Sequence, residues 1–255
     1  MVGYETMNQK KIMKLPKRYH IALTCAGLLG TMASSQAALT IGDIISVNFG
    51  APGHGATVTG AALIGSNLDV WNNINANAGT NVSTLGTVGL NKVDGSSSGA
   101  SLSVTTGSFN GSNADSANLD IYEGNIYLDS NGQFGPGGPA TISLTGLGAG
   151  SIVDLYFYIG AGHTSGEGGA ITIGGTTYSV TDSNVIESAY TPGVNYLKFD
   201  DVTADAFGNI EATWSAASGQ RFASLSGMQI QAVPEPSAAL LGGLGFFAIL
   251  RRRRK

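Results

Sequence analysis

Cysteine, histidine, tryptophan and positive charge are all scarce in this chain. Of 255 residues one is cysteine, three are histidine, two are tryptophan, and charged residues make up only 12%. The lone Cys25 excludes an internal disulfide framework and any thiolate metal cluster. His54 and His163 each sit alone in a glycine-rich loop, Pro52-Gly53-His54-Gly55 and Gly160-Ala161-Gly162-His163, with no second ligand at metal spacing. Ten of the 13 Lys and Arg lie near the two ends, which leaves Lys92, Lys198 and Arg221 against 15 acids between them, a net of −12. A body of that sign repels phosphate backbones, so nucleic acid is excluded as a partner.

What is present at the start reads as a secretory signal. Lys10, Lys11, Lys14, Lys17 and Arg18 form a basic region, Ile21–Leu29 a short apolar one, and Ser34-Ser35-Gln36-Ala37-Ala38 a run of mostly small residues. That order predicts a signal helix over residues 1–37 and cleavage by signal peptidase after Ala37. Cys25 would leave with it.

The body, residues 38–232, is Gly-, Ser-, Thr-, Asn- and Ala-rich with apolar residues stepping by two: Val47 and Phe49, Leu102 and Val104, Ile142 and Leu144, Ile171 and Ile173, Leu197 and Phe199, Met228 and Ile230. Period two is the mark of half-buried strands. Turn clusters such as Asp94-Gly95-Ser96, Ser130-Asn131-Gly132 and Phe207-Gly208-Asn209 separate them. Ile173-Gly174-Gly175-Thr176 predicts a hairpin. Ile152–Ile159 is apolar at nearly every position and predicts a strand covered on both faces, with Asp154 near its entrance. Ser66–Ala76 and Ser116–Ile126 are Asn- and Asp-rich and could each hold a short helical turn. The fold expected is all-β, an antiparallel sandwich of jelly-roll type; no fixed repeat supports a solenoid.

The chain ends on Val233-Pro234-Glu235-Pro236-Ser237, an apolar run over Ala238–Leu250, and Arg251, Arg252, Arg253, Arg254 and Lys255. The run spans about 21 Å as a helix against a hydrocarbon core of about 30 Å. Gly242, Gly243 and Gly245 weaken it further. It therefore suits a transient transmembrane helix better than a permanent one, and the arginines stop it on the cytoplasmic side. Residues 233–255 resemble a PEP-CTERM sorting signal: the Pro-Glu-Pro motif, a short transmembrane helix and a basic tail, in that order. The resemblance implies processing by an exosortase-like enzyme and export to the cell envelope, outer surface or medium, commonly alongside exopolysaccharide or biofilm matrix.

Within the body, Ile45-Ser46-Val47-Asn48-Phe49-Gly50, Trp71-Asn72-Asn73-Ile74, Tyr196-Leu197-Lys198-Phe199 and Leu225-Ser226-Gly227-Met228-Gln229-Ile230 are similar to stretches of secreted galactose-binding-like jelly rolls. No binding residue transfers with that likeness, because such sites lie in variable loops.

Catalytic patterns are weak. Gly95-Ser96-Ser97-Ser98-Gly99 matches a nucleophile elbow in letters only, since a helix should follow it and a strand does. Asp200, Asp201 and Asp205 form the densest acidic cluster, open to a glycosidase pair or structural calcium, with a solvated turn the plainer reading. Asp129-Ser130-Asn131-Gly132 begins like a calcium loop and lacks the closing acid. Trp71 and Trp214 would stack on sugar rings if exposed and are core if buried. His163 and Glu167 could line one loop of a glycan site. The expected function is a non-catalytic exported surface or matrix protein, without cofactor, in contact with extracellular polysaccharide. The alternative is a secreted glycan-active hydrolase or lyase on the same fold.

Overall fold

Alternation of apolar and polar residues becomes strand wherever the apolar side can be buried. All six stepping pairs of the sequence lie on strands, and all but Ile173 are fully buried. A computed structural model describes residues 39–50, 57–75, 82–113, 119–122, 124–133, 137–160, 167–181 and 189–234. Thirteen strands are present: β1 (Ile44–Gly50), β2 (Asn72–Asn75), β3 (Val82–Asn91), β4 (Ser97–Asn113), β5 (Gly124–Asp129), β6 (Ala140–Thr145), β7 (Ile152–Tyr158), β8 (Glu167–Ile173), β9 (Thr176–Val180), β10 (Tyr196–Thr203), β11 (Ile210–Ser215), β12 (Phe222–Leu225) and β13 (Gly227–Ala232). The described residues contain no α-helix; a 3₁₀ turn at Asp120–Tyr122 stands in one of the two segments expected to coil.

The strands form two sheets. One has the order β10-β7-β13-β1-β2. In the other, β3-β4-β6-β11-β8-β9 pair in sequence, every neighbour antiparallel. The far halves of β4 and β8 are joined through β5 and β12. Inward side chains of both sheets, among them Val47, Phe49, Leu155, Phe157, Phe199 and Met228 from one and Leu102, Val104, Ile142, Ile171 and Trp214 from the other, make a single buried cluster.

The expectation of purely antiparallel sheets needs correction. β1 pairs β2 in parallel, and β12 pairs β8 in parallel. β2 reads Asn-Asn-Ile-Asn and has no alternation to announce it; asparagine side chains hold it instead. Asn72 donates to the Ser46 and Asn91 carbonyls at 2.9 and 2.8 Å. Its own amide oxygen accepts the Asn91 N–H at 2.8 Å, and Asn73 bridges Asn48 and the Val58 N–H, both at 3.0 Å.

The two sheets share one stretch of chain. Residues 222–232 run through β12, cross at Ser226 and continue as β13. At the crossing, the Phe49 N–H donates to the Ser226 carbonyl at 2.8 Å and the Ser226 N–H to the Tyr158 carbonyl at 2.9 Å. The Ser226 hydroxyl also donates to the Gly160 carbonyl. Gly227 follows because nothing larger fits: a Cβ there would lie 2.4 Å from the Val47 carbonyl oxygen.

β7 is covered on both faces, which explains its unbroken apolarity. Val153, Leu155 and Phe157 face the main core. Tyr156 and Tyr158 face a second cluster with Val58, Trp71, Ile121, Tyr122 and Tyr196, which segment 57–70 helps to close. That segment is pinned by buried polar groups. The Trp71 indole N–H donates to the Gly60 carbonyl at 2.8 Å, the Leu63 N–H to the Tyr158 hydroxyl at 3.2 Å, and the Gln229 amide to the Ile64 carbonyl at 3.1 Å. No helix among the described residues is long and apolar enough to cross a membrane, and Ala37, Glu235, Pro236 and Arg251–Arg254 lie outside those residues.

Candidate functional site

The acidic cluster singled out in the sequence is built by a bulge. Phe199 pairs with Leu155 and Val202 with Val153, so Asp200 and Asp201 together oppose the single residue Asp154. A bulge of that kind bends a strand and re-aims its side chains. Asp201 takes φ 52°, a left-handed conformation that aspartate tolerates better than most residues. Asp154, the charge that looked out of place in an apolar strand, is what holds it. Its carboxylate accepts the Asp201 N–H at 3.0 Å and the Lys198 ammonium at 3.0 Å, and Lys198 pairs with Asp200 as well. Those contacts, Asp200 first, hold the Lys198 amine above its ordinary value.

The next turn is fixed by Asp205. Its Oδ1 accepts the N–H groups of Phe207 and Asn209, both at 2.8 Å, and Oδ2 accepts the Asn209 side chain at 3.3 Å. These bonds, led by the Asn209 backbone, keep the Asp205 carboxyl below the usual carboxylate range against a smaller effect of burial. Gly208 closes the turn at φ 79°, with Gly148 N only 2.7 Å from where a Cβ would stand. The tip exposes Phe207, 84% accessible.

Bulge, turn and the β8–β9 hairpin enclose an open groove of about 490 Å³ where the sheets part. Ile173, Tyr178, Phe199 and Val202 line it with apolar surface and Asp200, Asp205, Asn209 and Glu211 with polar groups. Tyr178 pairs with Ile171 across the hairpin and so turns to the core side, but β9 is the edge strand and its ring stays 47% exposed. The ring rests on Phe199, centroids 4.8 Å apart. An exposed aromatic face beside carboxylate and amide oxygens is the chemistry that takes a sugar: the C–H face stacks on the ring and the hydroxyls donate to the acids. Among the described residues no three His, Cys, Asp or Glu come together as a metal-holding group, Asp200, Asp201 and Asp205 included.

Other sequence candidates fall elsewhere. Trp71 is buried at 5% exposure in the second cluster and presents no face to a sugar, and Trp214 is fully buried in the main core. Ser97, the nucleophile position of the elbow pattern, is exposed at the start of β4, its Oγ accepts the Gly99 N–H at 3.4 Å, and a strand rather than a helix follows it. Asp129 is buried and accepts Arg221 Nε and Nη2 at 3.0 Å each, with the Asn131 and Gln133 N–H groups at 3.0 and 3.1 Å. His54 and His163 lie outside the described residues; Glu167 opens β8, where only its backbone is described. Tyr178, Phe199, Asn209 and Glu211 were not candidates from sequence. Tyr178 had one legible signal, an aromatic three residues past the Gly174-Gly175 hairpin turn on the apolar phase of the strand.

The tail was the other strong feature. Residues 232–255 match the PEP-CTERM protein-sorting motif. The tail carries a sorting signal. It indicates an exported protein, handled by an exosortase-type system and anchored in the membrane through that C-terminal stretch. Of the described part, Pro234 follows β13 and is exposed. The chain matches no curated protein. Among solved structures it is similar to the K2 cleaved adhesin domain of Lys-gingipain, at 10% identity over 43% of this chain and 72% of that one, TM-score 0.26. It is also similar to an exo-β-1,3-galactanase from Phanerochaete chrysosporium solved with galactose, at 13% identity over 51% and 32%, TM-score 0.25. Likeness at that level carries no functional argument.

Proposed function

We propose that this chain is a non-catalytic component of the cell surface or extracellular matrix, a jelly-roll sandwich that contacts exopolysaccharide through the groove beside Tyr178. The observation that carries the reading is that half-exposed ring, stacked on Phe199 at the open end of the sandwich with Asp200, Asn209 and Glu211 around it. The sorting tail supports it by placing the body outside the cytoplasm. On this reading signal peptidase removes residues 1–37 and an exosortase-like enzyme cuts near Pro234-Glu235-Pro236, freeing the acidic body.

Three carboxylates on one groove favour a second reading, a secreted glycan-active hydrolase or lyase. Two of them are engaged structurally, Asp200 with Lys198 and Asp205 with its own turn. Glycan-array binding with and without Tyr178→Ala, alongside an assay for new reducing ends, separates the two. Binding that falls with Tyr178→Ala and no chain cleavage is the expected result. Cleavage lost on Glu211→Gln would establish the enzyme, and no binding to any glycan, including the producing cell's own polymer, would end both. Replacing Pro234-Glu235-Pro236 by alanines should leave the body in the membrane fraction; unchanged release would remove the sorting step from the reading.

A further inference from the structure

The outer face of the six-stranded sheet carries a pattern that meets the groove only at Glu211. Thr84 pairs with Thr105, Thr105 with Thr141, Thr141 with Thr213, Thr213 with Thr172, and Thr172 with Thr177. One threonine thus stands in register on each of six consecutive strands, β3-β4-β6-β11-β8-β9. Directly paired residues share a face. The neighbours in sequence, Val104, Ile142, Ala212 and Ile171, are buried in the core, so Thr105, Thr141, Thr213 and Thr172 point away from it. Thr213 and Thr177 are exposed, and Thr105, Thr141 and Thr172 are half-buried. Two residues along, Ser103 pairs with Ser143 and Ser143 with Glu211, a shorter row of the same kind.

Strand propensity accounts for any one threonine on a solvated strand, but valine, isoleucine or tyrosine would serve as well, and none interrupts the row. At about 4.8 Å per strand the row is about 24 Å long. Each position offers a methyl group and a hydroxyl that both donates and accepts. On β8 and β9 the hydroxyls reach one another, Thr172 Oγ1 and Thr177 Oγ1 lying 2.7 Å apart. Glu211 is the one charge on these two rows, in a body that carries −12 in all.

We propose that this face binds an extended, uncharged polysaccharide laid across the strands along the threonine row, which deepens the matrix reading above and rests on it. Strand spacing is close to the length of one pyranose in an extended chain, so successive sugars meet successive threonines. A linear polymer follows the twist of a sheet, whereas a rigid flat lattice needs an untwisted one. An anionic polymer would meet the negative field of the body. Contacts that are weak singly add along one chain through effective concentration.

The test is affinity electrophoresis of the full-length protein in gels holding hydroxyethylcellulose, a neutral glucan, or alginate, an anionic polymer. Thr141→Val with Thr213→Val removes two hydroxyls while keeping shape and strand preference, and melting temperature reports the fold. Retention by the neutral glucan should weaken by roughly two- to ten-fold per threonine, one net hydrogen bond each, with melting unchanged. Thr213→Lys should weaken it at least as much. Retention lost with Tyr178→Ala but not with the valine pair puts the glycan in the groove and overturns the row while sparing the groove. Preference for alginate overturns the row too. A concentration-dependent dimer abolished by Thr213→Lys gives the face to a second copy and likewise overturns it. No retention on either polymer overturns both.

Discussion

Gln229 offers the sharpest test of how the body is held together. Its side chain is fully buried, and one amide ties three elements. Oε1 accepts the Tyr158 hydroxyl at 2.5 Å and the Ile64 N–H at 3.4 Å; Nε2 donates to Ser46 Oγ at 2.9 Å and the Ile64 carbonyl at 3.1 Å. Replacement by leucine keeps the volume, leaves the Tyr158 hydroxyl without its acceptor though still holding the Leu63 N–H, and takes the amide donor from Ser46 Oγ, both in residues with no exposure. A buried group left unpartnered costs about 1–3 kcal/mol, and leucine returns part of that as apolar burial, so the net loss should be about 2–4 kcal/mol. For a domain of this size each kcal/mol moves the melting point by about 2–4 °C, which puts the expected drop at about 5–15 °C. Hydrogen exchange should show the Leu63 and Ile64 amides losing protection, because both are anchored through this network. Tyr158→Phe breaks the same bond to Gln229 and also takes the acceptor of the Leu63 N–H, so the double variant should lose about 1 kcal/mol less than the two single losses added, a coupling that independent sites would not show. Melting within about 2 °C of the wild type, or a double variant whose losses simply add, would refute the reasoning.

Gly227→Ala should destabilise by about 1–3 kcal/mol or more, since its Cβ meets the Val47 carbonyl oxygen at 2.4 Å and Ile121 Cδ1 at 2.7 Å. Gly89→Ala, in open space on β3, should be neutral or slightly stabilising; equal effects from the pair in thermal melts would contradict the crowding described at the crossing. Trp71→Phe should cost about 1 kcal/mol more than Trp214→Phe, because the Trp71 indole N–H is bonded to Gly60 and that of Trp214 has no partner. Burial raises the Tyr158 phenol and pushes Tyr190 up to about 12, whereas an unfolded tyrosine ionises near pH ~10. The native state holds those protons longer, so their contribution is intact below about pH 10 and is lost as pH rises toward 12. Phenolate absorbance from these rings should therefore appear together with unfolding, and its appearance in folded protein near pH ~10 would contradict their burial. Chelation by EDTA should leave the melting point unchanged, and a drop would mean a bound cation.

What the sequence disclosed follows from which forces are local. Burial of alternate residues is local, so β1, β4, β6, β8, β10 and β13 could be placed from Val47 and Phe49, Leu102 and Val104 and the rest. Gly174-Gly175 could be read as the hairpin turn, and the structure pairs Ile173 with Thr176 across it. β2 escaped notice because its strand geometry is imposed from outside by Asn72 and Asn73, and asparagine-rich segments look like turns when their partners are unknown. The parallel pairing of β12 with β8 joins residues 222–223 to residues 167–168, a relation that no window of sequence contains. The Asp129 turn looked plain because Arg221, which neutralises it, stands 92 residues away.

The candidate site illustrates the same limit from the other side. Asp200, Asp201 and Asp205 looked like one cluster because they are close in sequence, yet the bulge and the turn give each a separate task. Asp200 pairs with Lys198, Asp201 offers its N–H to Asp154, and Asp205 closes its own turn. The three cations of the body are committed too, Lys92 to Asp43 at 3.3 Å, Lys198 to Asp154 at 3.0 Å and Arg221 to Asp129 at 3.0 Å. Each spends its charge on a carboxylate that fixes a turn or a bulge, and fifteen acids against three cations leave the remainder uncompensated. That excess sets a negative field against anionic polymers, while the chemistry presented to a partner is, Glu211 apart, largely uncharged: the ring of Tyr178 and the hydroxyls along β4, β6, β11, β8 and β9. A matrix protein of this design would select neutral chains by repelling the others, with salt weakening the discrimination over a Debye length of about 8–10 Å. Retention by alginate that stays absent at both low and high salt would show that the acidic field is not what excludes it.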